Sequence, residues 1–170
     1  MTGPSLAEME QVASTFGVGM EQVRRDHLIS HVLSAIASDI STDDLVFFGG
    51  TALSRTHLGD SRLSEDIDLI ARIPCKEIAE KIERAVRRGL ARSHGRPTWQ
   101  PVLTATTGSQ PTVLTVPDGT SVQVQLLGGE GVSVAHRGRG NRAALLRRAT
   151  RSVARTHRRC VRRRQAWSLD

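Results

Sequence analysis

Two stretches decide how this chain folds: FFGGTAL at residues 47–53 and RLSEDIDL at residues 62–69. The first predicts a buried strand that ends in two glycines and leads directly into a helix. The second places Asp66 and Asp68 two residues apart, and such residues point to the same face of a strand. We therefore expect the two carboxylates to project side by side from one strand.

The residue types in these stretches are typical of nucleotide chemistry. Mg²⁺ is commonly held by one or two carboxylates together with substrate phosphates, so Asp66 and Asp68 are candidate metal ligands. Gly49 and Gly50 remove side chains where a phosphate must approach the backbone. Thr51 is predicted to cap the following helix, whose first free N–H groups favour an anion.

Each of these residues also has a plainer interpretation. The two glycines alone are typical of a tight strand–helix turn without a ligand, and the aspartates have Arg62 and Arg72 as possible salt-bridge partners. We favour the metal interpretation because apolar residues flank the acids and predict a buried strand. Arg55 is either a solvated helix charge or a phosphate clamp, and Ser64 is either a turn residue or a functional one.

The paired motif, GGT at residues 49–51 and S-x-DID at residues 64–68, resembles the signature of the DNA-polymerase-β-like nucleotidyltransferase superfamily. Within that superfamily the chain is most similar to the AbiEii/MenT-type nucleotidyltransferase toxins of bacterial toxin–antitoxin systems. The resemblance covers roughly residues 20–128. It implies an α/β fold, in which a small mixed β-sheet is flanked by helices.

The resemblance also implies an activity and a set of functional residues. Family members transfer a nucleoside monophosphate from an NTP with Mg²⁺, and MenT-type members modify the 3′ end of tRNA, which blocks translation. The implied partners are tRNA and a cognate antitoxin protein. By the same resemblance the catalytic residues are Asp66, Asp68 and Ser64, of which the two aspartates bind the metal, and the nucleotide is held by Gly49, Gly50, Thr51 and Arg55.

Two features depart from the family pattern. The superfamily has a third carboxylate on a later strand, whereas the matching strand here, predicted for residues 121–127, carries Gln123 and Gln125 at its polar positions. A neutral amide is a weaker Mg²⁺ ligand than a carboxylate. The family also has a functional lysine in a helix beyond this strand, and this chain has no lysine after Lys81.

Hydrophobic periodicity and turn signals predict the remaining elements. On the predicted helix 20–40, His27 lies in the apolar stripe, and we interpret it as a packed side chain rather than a ligand. On the helix 75–92, apolar residues every four positions predict a buried stripe. The predicted helices are 20–40, 51–58 and 75–92, after a short one that ends near Phe16, and the predicted strands are 45–48, 66–71, 99–107, 112–116 and 121–127.

Charge divides the chain into a nucleotidyltransferase core, residues 1–130, and an Arg-rich tail, residues 131–170. The core has 12 basic and 16 acidic residues, whereas the tail has 12 arginines, no lysine and one acid. One interpretation is a basic arm that binds nucleic acid. The other is a tail produced by a frameshift in GC-rich DNA, which predicts an irregular segment. Sequencing the locus in several isolates would reject the frameshift if every isolate kept one intact frame.

Other features indicate a cytoplasmic protein. Cys75 and Cys160 are the two cysteines, far apart and without metal-type spacing, which fits a reducing compartment. No apolar run approaches the ~18 residues of a membrane span. The acidic N-terminal stretch has no signal-peptide pattern.

The sequence leaves two other functions open. The first is a nucleotidyltransferase that modifies a small molecule, as antibiotic-modifying relatives do. The second is a catalytically inactive, truncated toxin that binds only its antitoxin or, through the Arg-rich tail, nucleic acid. The missing carboxylate and the missing lysine favour this second alternative.

Overall fold

The fold is a mixed sheet with helices packed against it, seen in a computed structural model that describes residues 5–56, 65–106 and 109–128. The tail and Ser64 lie outside these ranges. The elements, in chain order, are α1 (Leu6–Phe16), α2 (Met20–Asp39), β1 (Leu45–Phe48), α3 (Gly49–Thr56), β2 (Asp66–Ala71), α4 (Cys75–Leu90), β3 (Thr98–Gln100), a 3₁₀ turn (Leu103–Ala105), β4 (Thr112–Thr115) and β5 (Ser121–Gly128).

The five strands form one sheet in the order β1-β2-β5-β4-β3. β2 and β5 pair in parallel, while the other neighbours are antiparallel. Because β2 lies between β1 and β5, its backbone hydrogen-bonding groups are paired on both sides and its register is fixed twice. The predicted α/β fold with a small mixed sheet is confirmed.

The core lies between one face of the sheet and the helices α2 and α4, which pack against each other and against β5. The predicted stripe on α4 is confirmed, since Ile78, Ile82, Val86 and Leu90 are each fully buried. From β2, Ile67 and Leu69 alternate into the same core. Alternation then sends Asp66 and Asp68 to the opposite face, away from these two helices.

The structure corrects three predicted boundaries. α3 begins at Gly49 and not at Thr51, because the helix follows β1 without a connecting residue. The strand predicted for 99–107 ends at Gln100, since Pro101 has no N–H to continue the ladder, and a 3₁₀ turn follows. α4 ends at Leu90, two residues before the predicted end.

None of the helices in the described parts of the chain is both long and apolar enough to cross a membrane.

The crossing of α2 and α4 depends on the small residue Gly89. A Cβ added there would lie 2.4 Å from Ala35 Cβ and 3.3 Å from Ala35 Cα, closer than a side chain tolerates. The two helices can therefore approach at this point only because Gly89 has no side chain.

We expect Gly89→Ala to lower the free energy of unfolding by up to about 2 kcal/mol. Overpacking of about 1–3 kcal/mol should outweigh the gain of about 1 kcal/mol in helix propensity. Urea denaturation checks this, with Gly19→Ala as control, because a Cβ at Gly19 meets nothing within 4 Å. A more stable Gly89→Ala protein would contradict the close crossing.

Candidate active site

The two aspartates of β2 lie side by side on the face of the sheet that α2 and α4 leave uncovered. Asp66 and Asp68 are both partly exposed, while the residue between them, Ile67, is fully buried on the other face. β2 therefore positions both acids through burial of its apolar face, as its sequence pattern predicts.

The turn from β1 into α3 packs against Asp68. Phe48, the last residue of β1, pairs in register with Asp68, and Gly49 follows with φ 80°. A Cβ at Gly49 would lie 2.2 Å from Asp68 Oδ2, which leaves no room for any side chain. Gly49 is thus required twice, once by its left-handed backbone and once by the carboxylate beside it.

Gly50 is in a different environment from Gly49. Within the part of the chain that the structure describes, a Cβ at Gly50 would meet no heavy atom within 4 Å. The space beside its backbone is therefore open, which is compatible with a ligand that approaches α3 at its first turn.

Thr51 contacts the other aspartate. Its side chain is buried, with 4% of its surface exposed, and its hydroxyl donates a hydrogen bond of 2.9 Å to Asp66 Oδ1. The expectation that Thr51 caps α3 is wrong, because α3 already begins at Gly49 and Thr51 is its third residue. The hydroxyl instead fixes the orientation of a carboxylate fifteen residues further along the chain.

Burial and a neighbouring charge both act on Asp68. Burial and the negative charge of Asp66 together raise the pKa of Asp68, with burial the larger cause. A divalent cation between the acids would relieve both effects, because it replaces lost water and offsets the like charge. The pair thus fits the one or two carboxylates with which proteins hold Mg²⁺.

Glutamines lie next to both acids on the neighbouring strand. Gln123 and Gln125 of β5 pair in register with Asp66 and Asp68 respectively. The Gln125 amide donates a hydrogen bond of 2.7 Å to the carbonyl oxygen of Ser109. β5 therefore supplies neutral amides beside the carboxylate pair, on the strand where the superfamily pattern has a third acid.

Two predicted site residues cannot be placed against the pair. Ser64 is outside the described residues, and Arg55 lies on α3 but its side chain is not described. Within residues 5–56, 65–106 and 109–128, no group of three His, Cys, Asp or Glu side chains is arranged to hold a metal ion. The site that the structure does assemble consists of Asp66, Asp68 and the first turn of α3.

Sequence reasoning missed the two contacts that hold the acids in place. The sequence assigns Thr51 and Gly49 to a phosphate. In the structure Thr51 contacts Asp66, and Gly49 lies against Asp68. The available signal was the short spacer between the two motifs, since a strand, a short helix and a returning strand bring their ends together.

A strand–turn–helix that backs a carboxylate pair on the next strand is the arrangement expected of a nucleotidyltransferase. The model of a protein family described as "Nucleotidyl transferase AbiEii toxin, Type IV TA system" matches residues 31–136. The chain therefore belongs to the AbiEii family of nucleotidyl transferase toxins, and the resemblance seen in the sequence is confirmed.

A solved structure supports the fold. The chain is similar to MenT4, a nucleotidyltransferase toxin from Mycobacterium tuberculosis, with a TM-score of 0.51 and 20% sequence identity. The alignment covers 74% of this chain but only 44% of MenT4, so the chain spans less than half the length of that toxin. A comparison with curated protein sequences gave no match.

We expect Gly49→Ala to lower the free energy of unfolding by about 1–3 kcal/mol, because it strains a residue at φ 80° and displaces Asp68. Gly50→Ala is the matched control, and its loss should be smaller, since its Cβ enters open space. Chemical denaturation of the two variants compares them. Equal losses would show that Asp68 does not pack on Gly49.

The raised pKa of Asp68 predicts how stability depends on pH. Above the unfolded-state pKa, a carboxyl whose folded pKa is raised destabilises the fold, and the penalty is complete above the folded pKa. We therefore expect Asp68→Asn to stabilise the metal-free protein at pH 7 by up to about 1 kcal/mol, a small value because solvent screens the group.

The gain from Asp68→Asn should shrink as the pH falls toward 3.5, because the native carboxyl becomes increasingly protonated in both the folded and the unfolded protein. Unfolding free energies at pH 7 and pH 3.5 measure it. Asp43→Asn is the control, because Asp43 is an exposed aspartate outside the pair. A loss of stability at pH 7 would show that ionised Asp68 is well accommodated without a metal.

Proposed function

We propose that this chain is a Mg²⁺-dependent nucleotidyltransferase that adds a nucleoside monophosphate from an NTP to the 3′ end of tRNA. As a toxin it would block translation in the cytoplasm, and a cognate antitoxin would neutralise it. The observation that carries this proposal is the carboxylate pair Asp66 and Asp68, held by Thr51 and Gly49 at the start of α3. Membership of the AbiEii family supports it.

In this proposal Asp66 and Asp68 hold the metal. Bound Mg²⁺ would polarise the α-phosphate and stabilise the attacking and leaving oxygens. Thr51 keeps Asp66 in one orientation through its hydroxyl, and Gly49 lets Asp68 lie against the backbone. Preorganised ligands of this kind lose little energy in reorganisation when the substrate binds.

The first turn of α3 would receive the triphosphate. Gly49, Gly50 and Thr51 present backbone beside the carboxylates, and the space at Gly50 is open. The N-terminal N–H groups of a helix favour an anion. Arg55, two turns into the same short helix, and Ser64, just before β2, are the further proposed phosphate contacts.

The reaction would be an in-line attack of the RNA 3′-hydroxyl oxygen on the α-phosphorus. A new oxygen–phosphorus bond forms, the bond between the α-phosphorus and the bridging oxygen breaks, pyrophosphate leaves, and the hydroxyl proton passes to solvent water. Gln123 and Gln125 cannot accept the hydroxyl proton, because a primary amide is not a base near pH 7. The chain's contribution therefore rests on the charges of Asp66 and Asp68.

An RNA substrate fits the charge distribution better than a small molecule. Arg84 and Arg87 are exposed on the outer face of α4, and Arg92 and Arg96 follow it. Arg88 differs from them, since it pairs with Asp39 of α2. Arginine is a common donor to the phosphate oxygens of a nucleic acid backbone, and the tail adds 12 arginines.

A second candidate function follows from the same residues. Gln123 and Gln125 stand beside the acids, and no lysine follows Lys81. The family model stops matching at residue 136, and the first arginine of the tail is Arg137. These features favour a catalytically inactive toxin that binds antitoxin or nucleic acid without turnover.

A transfer assay tests the proposal and separates the candidates. Native protein and Asp66→Ala each receive Mg²⁺, one labelled NTP at a time, and either total tRNA or an aminoglycoside. We expect label in tRNA with native protein only, and a loss of about 100-fold or more in Asp66→Ala, the scale seen when a preorganised electrostatic contact is removed.

Thr51→Val measures, in the same assay, how much the Thr51 hydroxyl contributes to transfer activity. It keeps the shape of the side chain but removes the hydrogen bond to Asp66, and we expect a loss of about 10–100-fold, typical of groups that orient a metal ligand. Asp43→Ala is the unaffected control. Label found in the aminoglycoside would contradict tRNA as the substrate. If no NTP labels either acceptor, the result would support the catalytically inactive toxin.

A further inference from the structure

Two neighbouring histidines of α2 meet a third, distant in sequence, where α2 packs against the end of α4. His27 and His31 lie one turn apart on α2, and His94 lies four residues after the end of α4. The ring centroids of the three pairs are 4.5 Å, 5.2 Å and 4.8 Å apart. All three rings are half-buried, so an ion from solvent can reach them.

Hydrogen bonds determine which ring nitrogens remain available. Ser93 Oγ lies 2.9 Å from His94 Nδ1 and 3.4 Å from His31 Nδ1, and its own proton points to the carbonyl oxygen of Leu90 at 3.5 Å. Ser93 can therefore accept an N–H from both rings. In that arrangement the Nε2 atoms of His31 and His94 carry lone pairs.

The shortest distance between ring nitrogens matches the separation of two ligands on one tetrahedral metal ion. His27 Nδ1 and His94 Nε2 are 3.3 Å apart. Two nitrogens bound to one tetrahedral Zn²⁺ at about 2.0–2.1 Å are separated by about 3.3–3.4 Å. The same geometry puts the ring centroids about 5 Å apart, close to the three observed separations.

We infer that His27, His31 and His94 form a binding site for a divalent transition-metal ion of the Zn²⁺ type, separate from the carboxylate pair. His27 Nδ1 and His94 Nε2 form the first two ligands, and the ion replaces the proton between them as His27 changes tautomer. Since no three ligands are already set around one point among the described residues, the His31 ring must turn to complete the site.

The surroundings suit such an ion. Burial lowers the pKa of His31 and of His94, so both rings are neutral near pH 7, the form that binds metal. Asp118, on the turn before β5, interacts with His94 and with Arg24 of α2, and its negative charge partly offsets that of the ion. Ser93 acts as the outer partner that metal-bound histidines require.

The sequence pattern favours a packed His27 because it does not reveal that the rings of His31 and His94 lie beside it. The inferred site would link α2 to the turn after α4, and water would occupy the fourth position. Its role would be structural, because none of its ligands is among the residues proposed to bind nucleotide.

The test uses the full chain, prepared metal-free. Co²⁺ and Zn²⁺ are titrated at pH 7.5, Co²⁺ by its visible absorption and Zn²⁺ by thermal unfolding. We expect a tetrahedral Co²⁺ spectrum without a strong thiolate band, and a rise of about 5 °C or more in Tm with Zn²⁺ well above its Kd. Both signals should weaken as the pH is lowered and the imidazoles become protonated, since only the neutral rings bind the ion.

Variants assign the ligands. His31→Gln and His94→Gln should each weaken binding about 10–100-fold or more, while a control with His57, His136 and His157 all changed to Gln should bind as the native chain does. Circular dichroism of the metal-free proteins confirms folding, and His27→Gln replaces a variant that fails to fold. Binding that is unchanged in the cluster variants, or lost in the control or in Asp68→Asn, overturns the proposal. So does a cluster that titrates with pH but binds neither ion.

Discussion

Two like charges held side by side are the constraint on which the rest of this structure depends. Asp66 and Asp68 share one face of β2, and their proximity, together with burial, raises the pKa of Asp68. An isolated strand would relieve the repulsion by moving. Here β1 and β5 fix β2 from both sides, and the buried Ile67 and Leu69 keep the acids on the open face.

The turn between β1 and α3 completes the site from the other side. Gly49 leaves the space that Asp68 occupies, and Thr51 supplies a hydrogen bond to Asp66. One short segment therefore positions both carboxylates, one by the absence of a side chain and the other by a hydroxyl.

α2 connects the two clusters of ionisable groups. Near its N-terminus the amide of Gln22 donates a 3.4 Å hydrogen bond to Glu65, the residue before Asp66. Five and nine residues later, the same helix carries His27 and His31. A change in how α2 is held by the histidine cluster would therefore act on the helix whose first turn contacts the start of β2.

Local patterns in the sequence were enough for the elements and for the choice of candidate ligands. Asp66 and Asp68 are two residues apart, and the apolar residues of α4 are four apart. Each spacing lies within a single element and follows from burial of one face of that element, so it can be recognised without the rest of the fold. Boundaries are less predictable: β3 stops early because Pro101 lacks a donor, and α3 starts at Gly49, two residues before Thr51.

What only the tertiary structure decided is which distant residues meet. The 2.9 Å bond from Thr51 to Asp66, the pairing of Gln123 and Gln125 with the acids, and the contact of His94 with His27 and His31 each join separate elements. Sequence periodicity defines a face on each element but not the partner of that face. The partner is set by strand order and helix crossing, and these follow from burying all the apolar faces together.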